Sequence, residues 1–305
     1  MKNQYFRIAE QIVRLSMPDG EEWEKLLPSF VPFRCVFSAD EKVMCCLEVV
    51  SDELLDGVSA ATFLTNVERE GGEQFRLFRS EDLYILEMDR CESSSERSGC
   101  YRMVSNLFFT KGYAYIGSDG SRSGEVLNTF LMMLFAQSAV LHHTCLIHAS
   151  VVIKDSFGYA FLGKSGTGKS THSALWVKTF PDAELLNDDN PAVRITDSNR
   201  IYIYGTPWSG KTPCYKNAGV ELAACVRLEQ SSVNRFFLKS GVEALIALLP
   251  SCSSMRWNEH LYTALCDLLE NFIRRVPVGF LQCRPDQEAA YLCYDKLIKN
   301  KIEKR

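Results

Sequence analysis

The chain has 305 residues, 46% of them hydrophobic, and carries 34 basic against 38 acidic side chains for a net charge of -4. That apolar content suffices for one sizeable core and a smaller one, so two domains are expected. The near balance of charge leaves no electrostatic footprint for nucleic acid or for an anionic membrane, and neither is expected as a partner.

The opening MKNQYFRIAEQIVRL alternates like a strand and holds charges throughout, with no apolar leader core, which sets the expectation of a cytoplasmic protein. Further strands are expected at KVMCCLEVV, FRLFRS, LYILEM and YRMVSNLFF, and a short amphipathic helix around EEWEKLLPSF. These make residues 1–121 a small α+β unit, suited to docking a partner. The polar stretches CESSSERSGC and GSDGSRSG read as loops, the second of them marking the boundary.

From residue 122 onward helix and strand alternate, which argues for an α/β domain over 122–305. A helix is expected over 125–142, strands over 146–153 and 158–162, and a helix over 169–179. The apolar window LNTFLMMLFAQSAVL is shorter than the ~20 residues that span a bilayer and reads as a buried helix. Toward the end, EHLYTALCDLLENFIRR places Leu261, Leu265, Leu268 and Phe272 on one helical face, VGFLQCRP reads as a strand, and DQEAAYLCYDKLIKN as a closing helix.

GYAFLGKSGTGKSTHSALW contains the pattern G-x-x-x-x-G-K-[ST] between an apolar strand and a helix. In that context Gly163, Lys164, Ser165, Gly166, Thr167, Gly168, Lys169, Ser170 and Thr171 would hold a nucleotide's phosphates. The glycines let successive N–H groups turn toward a phosphate, and the helix start adds its positive dipole end. Lys169 supplies a cation, and the Ser170 hydroxyl suits a Mg²⁺ shell.

Nineteen residues past Ser170, LLNDDN sets Asp188 beside Asp189. Phosphoryl transfer uses one carboxylate on the metal and can use another as proton acceptor, tasks that adjacent acids can divide. LIHAS puts His148 at the start of a strand one hairpin before the loop, where a core role and an active-site role weigh equally. His172, in the helix after the loop, is expected to be structural. A second glycine-framed loop, YGTPWSGKTP, offers Ser209, Lys211 and Thr212; it could line an acceptor site or be a rigid turn with Trp208 packed inward. Arg227 is a candidate second cation.

The twelve cysteines are dispersed without C-x-x-C and read as reduced thiols. HHTCLIH, with His142, His143, Cys145 and His148, straddles two elements and is not expected to converge on zinc.

His148 in LIHAS, the loop GKSGTGKS and the pair in LLNDDN, in this order and spacing, resemble the C-terminal kinase domain of HPr kinase/phosphorylase, itself similar to the nucleotide core of phosphoenolpyruvate carboxykinase. The resemblance covers residues 145–195 well. It implies an α/β P-loop kinase core of that type preceded by the small α+β domain, with ATP and Mg²⁺ as cofactors. By it Lys169 binds phosphates, Ser170 holds Mg²⁺, Asp189 accepts the proton and His148 assists; Asp188, the other member of the acid pair, is the residue expected to join Ser170 at the metal. The substrate it implies is a serine hydroxyl on a protein or peptide; homo-oligomerisation stays open. Two departures stand out: Thr171 occupies a position where HPr kinases carry Glu, and YGTPWSGK replaces their Glu-Arg-Gly signature. The competing classes are a carboxykinase-like or other small-molecule phosphotransferase, for which the chain is short of a substrate lobe, and a nucleotide-binding module without catalysis.

Overall fold

The computed structural model describes residues 1–20, 22–55, 61–68, 73–90, 101–117, 122–210 and 212–303. The loop expected over 91–100, residues 118–121 of GSDGSRSG and Lys211 lie outside the described residues. The fold is mixed α/β, with two large sheets in two compact units, one of residues 1–139 with 255–261 and one of 140–254 with 262–305.

In the first unit the strands are β1 (Lys2–Ile8), β2 (Gln11–Met17), β3 (Val43–Val49), β4 (Thr62–Glu68), β5 (Glu73–Arg79), β6 (Leu83–Arg90), β7 (Tyr101–Asn106) and β8 (Lys111–Tyr115), with helices α1 (Trp23–Leu26) and α2 (Ser123–Ser138). The sheet order is β1-β2-β3-β8-β7-β6-β5-β4. Only β2–β3 and β3–β8 run parallel; the remaining pairs are antiparallel.

The single strand expected at YFRIAEQIVRL is a hairpin, because Ala9 and Glu10 take φ of 47° and 64° and reverse the chain in two residues. Positive φ at both central positions is the turn geometry that matches strand twist, yet neither residue is the Gly or Asn that ordinarily announces it. The expected boundary at 121/122 moves to 139/140, since α2 packs on β3, β7 and β8 of the first sheet. Val126, Leu127, Phe130, Leu131, Leu134 and Phe135 are all buried, as suits a core helix. The helical stretch Ser123–His142 is, among the described residues, the one long and apolar enough to cross a membrane, and 67% of its apolar window is buried.

The second unit continues with β9 (Thr144–Leu146), β10 (Ala149–Lys154), β11 (Phe157–Leu162), α3 (Lys169–Thr179), β12 (Glu184–Asp189), β13 (Ala192–Ile195), β14 (Ile201–Tyr204), β15 (Gly219–Gln230), β16 (Arg235–Lys239), α4 (Gly241–Leu248), α5 (Glu259–Ile273), β17 (Val278–Cys283) and α6 (Gln287–Glu303). The strand expected over 146–153 is thus two, β9 and β10, interrupted at Ile147 and His148. The sheet runs β12-β10-β11-β15-β14-β13-β9, and β15 is long enough to pair with β14 through its first residues and with β17 through its last; β16 completes the edge.

Strands β11, β15 and β17 are mutually parallel; β15 and β17 end level at Gln230 and Cys283, and β11 ends at Leu162, level with Arg227 three residues earlier. A core of Phe161, Trp176, Val226, Leu281 and Cys293 joins this sheet to α3 and α6. Burial of such large apolar side chains is the main stabilising term, each contributing roughly 1.5–3 kcal/mol. The C-terminal edge of the parallel strands is where an open α/β sheet offers a binding crevice.

Candidate functional site

Register explains why residues 148, 163 and 189 meet. In β10, Ala149 pairs with Leu162 of β11 on one side and with Asp189 of β12 on the other. One residue further along the edge stand His148 and the first loop glycine, Gly163, next to Asp189 at the end of the acid pair. His148 is fixed there by its own N–H, which donates to Ser251 O at 2.6 Å, and by the neighbouring bridge between Ile147 and Cys252.

The glycine loop connects β11 to α3 with φ of 78° at Gly166 and 95° at Gly168, the helix N-cap. Side chains with Cβ rarely adopt this region. A Cβ at either glycine would project into open space, whereas one at Gly163 would meet Thr167 Oγ1 at 2.2 Å. Thr167 closes the turn by donating from its hydroxyl to Lys164 O at 2.8 Å. Ser170 and Thr171 are exposed in the first turn of α3. Inside the same turn Ser173 donates to Ser150 Oγ at 2.6 Å, tying α3 to β10.

Lys169 is buried to 9% exposure and its three protons are all directed: Nζ lies 3.1 Å from Gly163 O, 3.3 Å from Lys164 O and 2.8 Å from His148 Nε2. An ammonium has donors and no acceptor, so His148 Nε2 must accept. The His148 proton is therefore on Nδ1, which lies 2.9 Å from Asp189 Oδ1. Lys169, His148 and Asp189 form one hydrogen-bonded chain at the mouth of the loop. Burial lowers the Lys169 pKa below the ordinary lysine value; Asp189 and Asp188 pull it back up, and Arg227 lowers it further.

Asn187 aims the acid pair. It is fully buried, its Oδ1 accepts the Asp189 N–H at 3.1 Å, and its Nδ2 donates to Thr206 O at 3.3 Å. The loop over 204–213 lies directly against the acids: Gly210 N donates to Asp188 O at 3.0 Å, and Asp189 bridges to Ser209. A Cβ at Gly210 would come within 2.9 Å of Asp188 O. Trp208 is packed inward and Ser209 Oγ donates to Thr212 O at 2.7 Å, and residues 208–210 wall the acid pair.

Two clefts flank the glycine loop. One, of ≈490 Å³, is lined by Lys164, Ser165, Arg227, Glu229 and Phe280. The other, of ≈690 Å³, is lined by Thr171, His172 and Leu175 of α3 and by Cys283, Arg284 and Pro285 after β17. Gln230 stands between them and donates to Gly166 O at 3.1 Å. Arg227 Nη1 donates to Ala247 O at 2.9 Å, which holds the guanidinium at the first cleft.

The residues fit a nucleotide's phosphate chain, because the space beyond Gly166 and Gly168 is open and Lys169 sits under it. They also fit Mg²⁺, which commonly uses one or two protein oxygens with phosphate and water completing the shell. Ser170 and the Asp188 carboxylate are such oxygens. Among the described residues no three His, Cys, Asp or Glu side chains gather as a metal group; His142 and His143 are exposed while Cys145 is buried. The ten cysteines in the described residues are free thiols.

Sequence reasoning passed over Asn187, Gln230 and Ser251, whereas Gly210 was expected, with Gly205, to allow a close backbone approach in YGTPWSGKTP. Of those passed over, only Asn187 carried a local signal, as a buried amide inside LLNDDN immediately before the acids.

A scan against protein-family models finds no match, and a search of curated proteins finds none. Among solved structures this chain is similar to the Hpr(Ser) kinase/phosphatase from Coxiella burnetii, at 12% sequence identity and a TM-score of 0.30, over 52% of this chain and 97% of the other.

Proposed function

We propose that the chain is an ATP- and Mg²⁺-dependent kinase with a P-loop core that transfers the γ-phosphoryl group to a hydroxyl, a serine of a protein or peptide, in a cytoplasmic setting. The observation that carries this reading is the chain of hydrogen bonds from Lys169 through His148 to Asp189 beside a glycine loop. Mg·ATP when bound would supply the activated phosphoryl group and a divalent charge over it.

Each residue then has a task. The loop N–H groups and the start of α3 hold negative charge, and Lys169 would give one of its three present acceptors up to a phosphate oxygen. Ser170 and Asp188 would hold the metal. Asp189 has Oδ1 engaged by His148, and its other oxygen, which has no hydrogen-bond partner among the described residues, would accept a hydroxyl proton; His148, donating from Nδ1, orients the carboxylate for it. This proton acceptor discriminates between acceptors. A hydroxyl must lose its proton as it attacks, whereas a carboxylic acid acceptor is already ionised at neutral pH and needs no base.

Calorimetry with Mg·ATP on the wild type and on Lys169→Ala tests the binding half. The reading expects at least a tenfold weaker affinity for the variant. Equal affinities would remove the glycine loop from nucleotide binding and the kinase reading with it.

A further inference from the structure

We propose that the ≈690 Å³ cleft between α3 and the segment after β17 is the site for a nucleobase and its sugar, which gives a nucleotide one defined direction along the loop. This rests on the kinase reading of the glycine loop and adds to it the half of the ligand that phosphate chemistry does not recognise.

Three observations point there. The first is position: the cleft opens at the common C-terminal edge of β11, β15 and β17, and its walls include Thr167, Gly168 and Thr171 of the loop and helix start, so a ligand held by the loop continues into it. The second is the division of charge between the two clefts. Lys164, Arg227 and Glu229 line the other one, and Arg227 is near enough to Lys169 to lower its pKa. Arg227 thus adds its charge to that of Lys169, which suits the terminal phosphate, whereas the cation of the second cleft, Arg284, is already paired with Asp286 and Glu288. The second cleft has apolar surface from Leu175, Cys283 and Pro285. Mixed apolar walls with a few polar groups, at this volume, are what a nucleoside-sized ligand needs.

The third observation concerns two polar side chains of the cleft. Arg284 donates from Nε to Asp286 Oδ2 and from Nη2 to Glu288 Oε2, both at 2.7 Å, while its own N–H donates to Asn234 Oδ1 at 2.9 Å. These bonds restrain the guanidinium, and a restrained guanidinium plane stacks well on an aromatic ring. His172 is 2% exposed, and its Nε2 accepts from Trp176 Nε1 at 3.1 Å, so its proton is on Nδ1. That buried Nδ1 has no hydrogen-bond partner. His172 lines the cleft, but its unpaired Nδ1 is wholly buried, so the polar group that the cleft presents to a ligand is Arg284.

The test compares Mg·ATP with Mg·tripolyphosphate by calorimetry on the wild type, Arg284→Ala and Leu175→Trp, with thermal melts to establish that each variant is folded. Tripolyphosphate carries the phosphate chemistry without base or sugar. The expected result is wild-type binding at least tenfold tighter for ATP, and a loss of roughly tenfold for ATP in both folded variants with tripolyphosphate unchanged. Leu175→Trp separates cleft filling from charge, because it alters no charge; should it fail to fold, Arg284→Ala, whose side chain is about half exposed, carries the comparison. Equal wild-type affinities for the two ligands, or equal losses for both ligands in the variants, would overturn the base site while leaving the phosphate loop in place. Binding of neither ligand by the wild type would overturn the loop reading itself, and the base site with it.

Discussion

His148 Nε2 accepts a hydrogen bond from Lys169 Nζ at 2.8 Å. Since the lysine has nothing but donors, this contact fixes the imidazole as its Nδ1–H tautomer and turns that proton toward Asp189. A histidine that interrupts two strands, β9 and β10, becomes the coupling between the loop cation and the acid pair.

The tautomer is directly observable. Nitrogen-15 NMR of the imidazole should report His148 protonated on Nδ1, and Asp189→Asn should perturb that signal while leaving the His172 signal in place. The Nε2–H tautomer at His148 would mean that Lys169 does not donate to it. In a transfer assay, His148→Ala should lower turnover by about 10²-fold with nucleotide affinity changed by only a few fold, the pattern of a group acting on the proton acceptor rather than on binding.

The two acids should separate. Asp189→Asn keeps size and polarity and removes the proton acceptor, so transfer should drop by ~10²-fold or more while Mg·ATP still binds. Asp188→Asn should instead raise the Mg²⁺ concentration needed for half-maximal binding. Titrating Mg²⁺ at fixed ATP distinguishes them; a matched Mg²⁺ response in the two variants would contradict the division.

The wall behind the acids is sterically closed at Gly205, where an added Cβ would lie 2.1 Å from Lys216 O. Backbone cannot yield there as a flexible side chain would. Gly205→Ala should therefore destabilise the fold by about 1–3 kcal/mol. A denaturation midpoint unchanged from wild type would show that the loop over 204–213 is less tightly set than its contacts imply.

Stability should fall on acidification through His172. Burial depresses its pKa to about 4 in the folded chain, against 6.5 for an ordinary imidazole. The unfolded chain thus takes up a proton that the folded one refuses, so the contribution is fully present above pH 6.5 and is lost as pH falls toward 4. The difference is on the order of 3 kcal/mol. Protonation also removes Nε2 as the acceptor for Trp176. Denaturant melts between pH 7 and 4 should show a shallower slope for His172→Gln, whose amide oxygen can still accept from Trp176 and does not titrate.

Much of the site was legible because its chemistry sits in short contiguous motifs, GKSGTGKS, LIHAS and LLNDDN, whose meeting requires only that β10 lie between β11 and β12. Long-range partners were not legible. Nothing near Ser251 marks it as the acceptor for His148 N–H, and the glycine at 210 announces a close approach without saying that Asp188 is what it meets. The hairpin of β1 and β2 was hidden because Ala9 and Glu10 adopt positive φ without the residue types that favour it. The first boundary was misplaced for a different reason: the apolar face of α2 can cover any sheet, and its sequence does not say which. Strand β15, twelve residues long and paired differently at its two ends, carries too little alternation to announce a forked sheet.

The most direct measurement follows labelled phosphate from γ-labelled ATP with wild type, Lys169→Ala and Asp189→Asn, given a proteome extract in one arm and oxaloacetate in another. The account predicts acid-stable phosphoserine on a protein or peptide, formed by the wild type and lost in both variants, with no label in phosphoenolpyruvate. Label appearing in phosphoenolpyruvate and dependent on Lys169, or phosphoserine formed equally by all three proteins, would contradict it.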